Sequence, residues 1–321
     1  MPKLIIQIPC FNEEETLGET LDALPKTVEG FDVVEVLVIN DGSVDDTVAV
    51  AEKHGVDHVV SLQRNKGLAT AFMTGLDAAL RAGADVIVNT DADNQYTADD
   101  IPLLTAPILA GEAGTVVGAR PIANIAHFSG LKKLLQRLGS KVVRLASGAD
   151  VDDAPSGFRA FSRRAAVRLN VFNKYTYTLE TLIQAEHKDI HVISVPIRVN
   201  GETRPSRLVR SMGSYVTRSL STIARFFVVY RPFRFFMTLA LVPFVMGIGI
   251  GLRFLYFYFV LDQGNGNIQS LILAALLIGL AAAFATVALL ADLIAMNRRL
   301  IERLEWRLRQ QELDAESTEG S

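Results

Sequence analysis

One cysteine, Cys10, stands in 321 residues, so no intramolecular disulfide and no cysteine-built zinc site can form. That excludes a secreted disulfide scaffold. The five histidines (His54, His58, His127, His187 and His191) show no metal-type clustering and carry no assigned role. A dominant charge is lacking too. Thirty-two basic residues against 35 acidic ones leave a formal charge of −3, which argues against a general nucleic-acid binder. With 21 % charged and 50 % hydrophobic residues, the chain is no disordered polyelectrolyte. No GxGxxG follows the first apolar run, which disfavours a dinucleotide oxidoreductase. No GxxxxGK[ST] is present, which excludes a P-loop NTPase, and no GxSxG, which disfavours an α/β-hydrolase. There is no internal repeat and no low-complexity tract. Met1-Pro2-Lys3 leads straight into a strand-like run, so no signal peptide is expected there.

What is abundant is apolar sequence near the C-terminal end. Mean hydropathy is +0.27, high for a wholly soluble protein. Residues 235–252 are free of charge, the apolar run resumes after Arg253 over 254–261, and 268–291 is a second charge-free run. A bilayer core needs about 20 helical residues, so both are long enough to span it. The turn formers Asp262-Gln263-Gly264-Asn265-Gly266-Asn267 join them. Seven arginines and no acid lie between Arg204 and Arg234, and five arginines against two glutamates lie between Arg298 and Arg309. The positive-inside rule then puts the N-terminal body and the C-terminal tail in the cytoplasm, in a multi-pass protein of the cell membrane. A helical hairpin buried in a soluble domain is the alternative, disfavoured by run length and basic flanks. Arg253 is expected to snorkel to the far interface or pair with lipid phosphate. Residues 213–230 read as an interfacial amphipathic helix, and the acidic tail 313–321 as unstructured.

Ahead of this region, short apolar runs at 4–8, 34–39, 58–62 and 85–89 read as strands, with helices at 13–24, 45–54 and 68–82 between them. That βαβα order predicts an α/β fold with a mainly parallel sheet. Ligands in such sheets bind at the carboxyl ends of the strands. Polar signatures follow three of the four runs: Pro9-Cys10-Phe11-Asn12-Glu13, Asn40-Asp41-Gly42-Ser43 and Asp91-Ala92-Asp93.

Two carboxylates two residues apart, Asp91 and Asp93, can approach one hard cation, with a diphosphate supplying further oxygens; Mg²⁺ or Mn²⁺ suits such a set. Gln95 follows closely. Asp41 can accept from base or ribose donors. Asp45 and Asp46 are better read as acids at a helix start. Asn12 and Glu13 suit either capping or ligand binding. Arg64-Asn65-Lys66-Gly67 ahead of a helix suits phosphate or a plain cap. The segment from Asp152 to Arg159 packs acids, turn formers and arginine together, for a site or a buried acid–arginine pair. Cys10 is expected to pack rather than react.

In order, these motifs resemble the inverting family 2 glycosyltransferases of GT-A (Rossmann-like) fold, and more narrowly the polyprenyl-phosphate (dolichol-phosphate) glycosyltransferases. Gly118-Ala119-Arg120 and Asp153 with Ser156-Gly157-Phe158-Arg159 complete the set, which covers roughly the first 200 residues. The resemblance implies that Pro9, Glu13 and Asp41 line the nucleoside site, with Asn12 and Lys66 among the donor-binding residues. It implies that Asp91 and Asp93 hold Mg²⁺ or Mn²⁺ on the nucleotide diphosphate, and that Gln95 sits beside the sugar. Arg120 and Arg159 would orient phosphates or the acids around them. Asp153 matches the acidic position near the acceptor where a base has been proposed. A basic residue after the last strand contacts phosphate in the family; Arg204 or Arg207 takes that place here.

The organisation expected is a cytoplasmic GT-A domain over 1–210, an interfacial juxtamembrane helix over 211–233, a transmembrane hairpin over 234–297, and a basic helix with acidic tail over 298–321. The expected reaction moves glucose or mannose from UDP-glucose or GDP-mannose to a polyprenyl phosphate, among membrane lipids. The resemblance also implies a homo-oligomer such as a tetramer. The acceptor phosphate is already anionic at neutral pH, so a strong base is not obligatory and Asp153 can position instead. Two alternatives remain: another lipid or glycan acceptor, or a non-catalytic membrane partner. A processive synthase is disfavoured because the only tryptophan, Trp306, lies in Glu305-Trp306-Arg307 in the tail.

Overall fold

A computed structural model describes residues 2–121, 151–171, 177–200, 228, 231–261 and 268–319. The chain divides into two compact units, 1–216 together with 305–321, and 217–304.

The first unit is built on a seven-stranded sheet: β1 (Lys3–Cys10), β2 (Val33–Asn40), β3 (His58–Ser61), β4 (Val86–Asn89), β5 (Thr115–Ala119), β6 (Arg159–Ser162) and β7 (Val192–Pro196), in the order β3-β2-β1-β4-β6-β5-β7. β1 pairs in parallel with β2 and β4, β2 with β3, and β5 with β7. Only β6 runs against its neighbours. The expected strands and mainly parallel pairing are therefore present. β1 is buried from Leu4 to Cys10, as a strand covered by helices on both faces must be. Alternation sorts its side chains into two cores. Leu4, Ile6 and Ile8 join Leu17, Val88, Ile101, Leu104 and Phe158 on one face. Ile5 joins Leu37, Ile39, Phe72, Leu76, Ile87, Phe161 and Tyr177 on the other.

The helices of this unit are α1 (Leu17–Ala23), α2 (Thr47–Lys53), α3 (Leu68–Arg81), α4 (Ile101–Leu109), α5 (Arg163–Arg168) and α6 (Thr178–His187). α1 and α2 start later than the periodicity suggests, because the residues ahead of them are spent on turns. The Glu13 carbonyl accepts from the N–H groups of Thr16 and Leu17. α3 lays Ala69, Phe72, Leu76, Ala79 and Leu80 on the sheet. The Ser162 hydroxyl caps α5 by accepting from the Ala165 N–H.

The second unit holds α7 (Pro232–Phe259) and the greater part of α8 (Ile268–Glu319). Both are long and apolar enough to cross a membrane. Leu241, Val242, Val245, Leu276 and Leu289 are exposed along them, a surface suited to lipid. Small residues meet between the helices: a Cβ on Gly247 would lie 2.9 Å from Ile278 Cγ1 and 3.2 Å from the Ala274 carbonyl. Arg253 places its guanidinium 5.3 Å from the centre of the Phe257 ring, one turn on in its own helix. The expected interfacial helix lies outside the described residues except for helical Val228, as does the turn 262–267. The tail departs from expectation, because α8 continues through Glu319. Its last turns belong to the first unit, where Leu313 is buried in the core cluster of α3. A docking surface supplies what the acidic composition lacks.

Candidate functional site

The chain leaves β1 for β2 and β3 on one side, then returns to β4 on the other. That reversal opens a crevice between the loops after β1 and β4. Because β6 is antiparallel, the segment entering it reaches the same edge, with Arg159 opposite both Asn89 and Val117. Asn12, Asp41, Asp91, Arg120 and Asp153 thus come to one edge from five separate stretches.

On the β1–β2 side the loops are stitched together. Asn12, at φ 54°, donates its N–H to the Ser43 hydroxyl at 3.0 Å, and its side-chain oxygen accepts from the Val44 N–H at 3.0 Å. The Glu13 N–H donates to the Thr47 hydroxyl, and the Glu13 carboxylate accepts from the Thr16 hydroxyl. The Asp45 carboxylate accepts from the N–H groups of Glu14 and Thr47. Burial pushes the Asp45 carboxyl up, but the Thr47 hydroxyl, which also donates to it, and then these backbone bonds outweigh burial and hold it below its ordinary range. Asp45 is therefore a clasp between loops as well as an acid at the start of α2. Pro9 is buried within β1, opposite Ile39.

Asp41 is buried, and both its oxygens are engaged: Oδ1 accepts from the Lys66 N–H at 2.8 Å and Oδ2 from the Gly67 N–H at 2.9 Å. It shapes the loop ahead of α3. Gly42, at φ +71°, lets that loop close, since a Cβ there would lie 2.5 Å from the Arg64 carbonyl carbon. The Lys66 side chain remains exposed at the rim.

The β4 loop holds the carboxylate pair. Burial first, and then the charge of Asp93, push the Asp91 carboxyl up to about 7; Arg120 pulls it down, Glu13 pushes it up, and a hydrogen bond from Tyr96 pulls it down. Asp93 accepts from the Gln95 N–H at 3.1 Å. The loop is pinned from both sides: Thr20 donates to the Ala92 carbonyl, and Asn200 bonds to Asn94 and Gln95. A Cβ on Gly157 would lie 3.0 Å from both Asp91 oxygens, so any larger residue would make the carboxylate shift. The Gly157 N–H donates to the Tyr96 hydroxyl. Cys10 is buried and free, and its thiol is pushed up by burial and by the charges of Glu13, Asp45 and Asp91. Packing is its role.

For Asp153 and Arg159 the sequence left alternatives open, and both side chains lie in buried pairings. Asp153 is fully buried, and its Oδ2 and Oδ1 accept from Arg120 Nε at 2.6 Å and Nη2 at 3.1 Å. The fork encloses the carboxylate against Arg120, the geometry of the buried acid–arginine pair that the sequence allowed. Arg159 is also fully buried. It donates to the carbonyls of Ala154, Ser156 and Thr178 and to the Thr181 hydroxyl, fastening the 153–157 loop to α6. Burial pushes its guanidinium down to about 10. Arg204 and Arg207 lie outside the described residues.

A buried network behind the site is not part of the motif set. Gln7 donates to the Asn89 side-chain oxygen, and Asn89 Nδ2 donates to the Gly157 carbonyl and the Tyr177 hydroxyl, each at 2.9 Å. The available signal was an amide in each of two apolar strands, since a buried amide demands partners.

Among the described residues no group of three or more histidine, cysteine or acidic side chains could hold a metal alone. Asp91 and Asp93 are two oxygen donors whose mutual repulsion a divalent cation would relieve, so they fit one that takes its remaining ligands from elsewhere.

Residues 5–169 match the family described as Glycosyl transferase family 2. The UDP-N-acetylglucosamine–dolichyl-phosphate N-acetylglucosaminyltransferase of Methanococcus voltae is 30 % identical over 213 residues, covering 60 % of this chain and 83 % of the relative. The polyprenol monophosphomannose synthase of Mycolicibacterium smegmatis is 26 % identical over 210 residues, covering 61 % and 76 %. Glucosyl-3-phosphoglycerate synthase from Mycobacterium tuberculosis, solved with Mn²⁺, UDP and phosphoglyceric acid, superposes with a TM-score of 0.55 at 22 % identity, over 70 % of this chain and 78 % of that one. The last likeness shows a shared fold.

Proposed function

The chain belongs to glycosyl transferase family 2, and from that premise we propose that it transfers a hexose from a nucleotide diphosphate sugar to a polyprenyl phosphate at the cytoplasmic face of a membrane. The observation that carries this reading is the position of Asp91 and Asp93 at the strand-order reversal, with Arg120 close enough to be felt by Asp91. The acceptor class is supported by the names of the two curated relatives and by two helices able to cross a membrane.

The β1 and β2 loops and the Asp41-held loop form the nucleoside side. Asp91 and Asp93 hold Mg²⁺ or Mn²⁺, which neutralises charge on the leaving diphosphate when bound. Tyr96, Thr20 and Asn200 keep the carboxylate loop in place, and Gly157 leaves Asp91 uncovered. Asp153 aims Arg120, whose positive charge faces the same anionic region. The acceptor phosphate arrives ionised, so no strong base is needed and the buried Asp153 supplies none. UDP-glucose and GDP-mannose are the leading donors.

The test uses the full chain in mild detergent with Mn²⁺ or Mg²⁺, a short polyprenyl phosphate and a panel of UDP- and GDP-sugars. Nucleotide diphosphate release and glycolipid formation are followed for the wild type and Asp93→Asn. Lipid-dependent turnover with one donor, lost in the variant, is the expected result. Donor hydrolysis without glycolipid moves the acceptor elsewhere. No turnover and no donor binding by the folded protein overturns the proposal.

A further inference from the structure

A cleft lined by arginines lies toward the opposite edge of the sheet. β6 carries the chain away from the carboxylate edge, from Arg159 opposite Asn89 to Ser162 opposite Val86, about 10 Å along the strands. α5 begins there. Between α5 and the last turns of α8, both in the first unit, is a cleft of about 510 Å³ lined by Arg163, Arg164, Arg168, Trp306 and Gln310.

None of the lining residues is acidic. Arg163 donates to the carbonyls of Leu80 and Ala84, which fixes it without neutralising it. Arg168 lies 5.7 Å from the centre of the Trp306 ring, a contact that orients a guanidinium and keeps its charge. Arg164 is exposed. Arg164 and Arg168 are four apart on one helix, a like-charge spacing that opposes the helix unless an anion offsets it. Lys188 adds charge nearby, its ammonium on the Arg168 carbonyl. Among the described residues, Asp77 on α3 pairs with Arg309 and Arg81 and Glu302 on α8 pairs with Arg298, while Glu305 accepts from the Asn170 amide beside the end of α5.

We propose that this cleft binds a phosphate anion, with Arg164 and Arg168 supplying the forked donors, Arg163 further positive charge and Trp306 one wall. Guanidinium groups match phosphate oxygens in pairs, and the cleft has room for a phosphate ester. The phosphate is that of a soluble ion or of a lipid headgroup.

Trp306 is the only tryptophan in the chain, so its emission reads this cleft alone. Full-length protein in uncharged detergent with EDTA is titrated with inorganic phosphate, and with sodium chloride at matched ionic strength. A saturable change in emission with phosphate and none with chloride is expected. Arg164→Gln should weaken the apparent affinity on the order of tenfold, the scale of one charge-assisted contact. Arg164→Gln/Arg168→Lys should abolish saturation while circular dichroism shows the fold retained. In nanodiscs, an emission difference between phosphatidylglycerol and phosphatidylcholine that inorganic phosphate reverses assigns the site to a headgroup. Response to inorganic phosphate without that difference assigns it to a soluble ion. No saturable response in any arm, or an unchanged response in the folded variants, overturns the proposal. Donor turnover is not part of the readout, so the outcome is independent of the catalytic assignment.

Discussion

Asp153→Asn separates two accounts of an acid placed near an acceptor. The substitution keeps shape and removes charge. In the wild type both carboxylate oxygens take the Arg120 fork at 2.6 and 3.1 Å, and Asp153 is wholly shielded from water. Removing one partner of a buried pair costs about 3–5 kcal/mol when the other charge is stranded. Two features soften that here. The Arg120 side chain keeps 18 % of its surface exposed, and Asp91 still faces its charge. Asparagine also retains one acceptor oxygen. A loss of about 2–3 kcal/mol follows, which lowers Tm by about 4–12 °C for a unit of this size. Near-UV circular dichroism during heating in detergent measures it. Arg120→Met with Asp153→Asn should be less damaging than the two single effects added, by more than about 1 kcal/mol. In kinetics, a positioning residue raises donor KM and leaves the shape of the pH–rate profile intact. An unshifted Tm, with a collapsed kcat and loss of the acidic limb of the profile, would refute this reasoning and make Asp153 a base.

Three further expectations rest on separate observations. Gly157→Ala puts a Cβ 3.0 Å from both Asp91 oxygens; overpacking of about 1–3 kcal/mol should appear as weaker metal-dependent donor binding by calorimetry. In Glu35, burial raises the carboxyl, but hydrogen bonds from Lys3 and His58 outweigh it and hold it below its ordinary value. Its contribution is thus full above the unfolded-state pKa and is lost as pH falls through the folded one, so the Tm deficit of Glu35→Gln should be larger at pH 7 than at pH 3. Leu313→Ala removes a buried side chain from the α3 cluster, at a cost of about 2–5 kcal/mol; faster amide exchange over 305–313 would show the helix end undocking, and unchanged exchange would contradict the packing.

Much of the architecture is legible in short-range pattern. The apolar runs at β1, β2 and β4 and the polar clusters behind them follow from strand period and from where α/β sheets bind ligands. The two spans follow from length alone. Less visible was the use of each polar residue. Asp41 carries a motif-grade carboxylate, yet both oxygens serve backbone N–H groups 25 and 26 residues on. Arg159 sits in a motif beside the site, yet it donates to three carbonyls and one hydroxyl.

The sequence by itself determined the α/β order, the acidic pair behind β4 and two apolar helices, because each is a local pattern of period, spacing or length. Tertiary structure alone decided that Asp153 pairs with Arg120 across 33 residues, that Gln7 meets Asn89 across 82, and that Arg309 reaches Asp77 across 232. Those partners are chosen by which strands lie side by side and which groups lose water there. A buried charge takes whatever partner the topology brings within reach, and no local pattern records that distance.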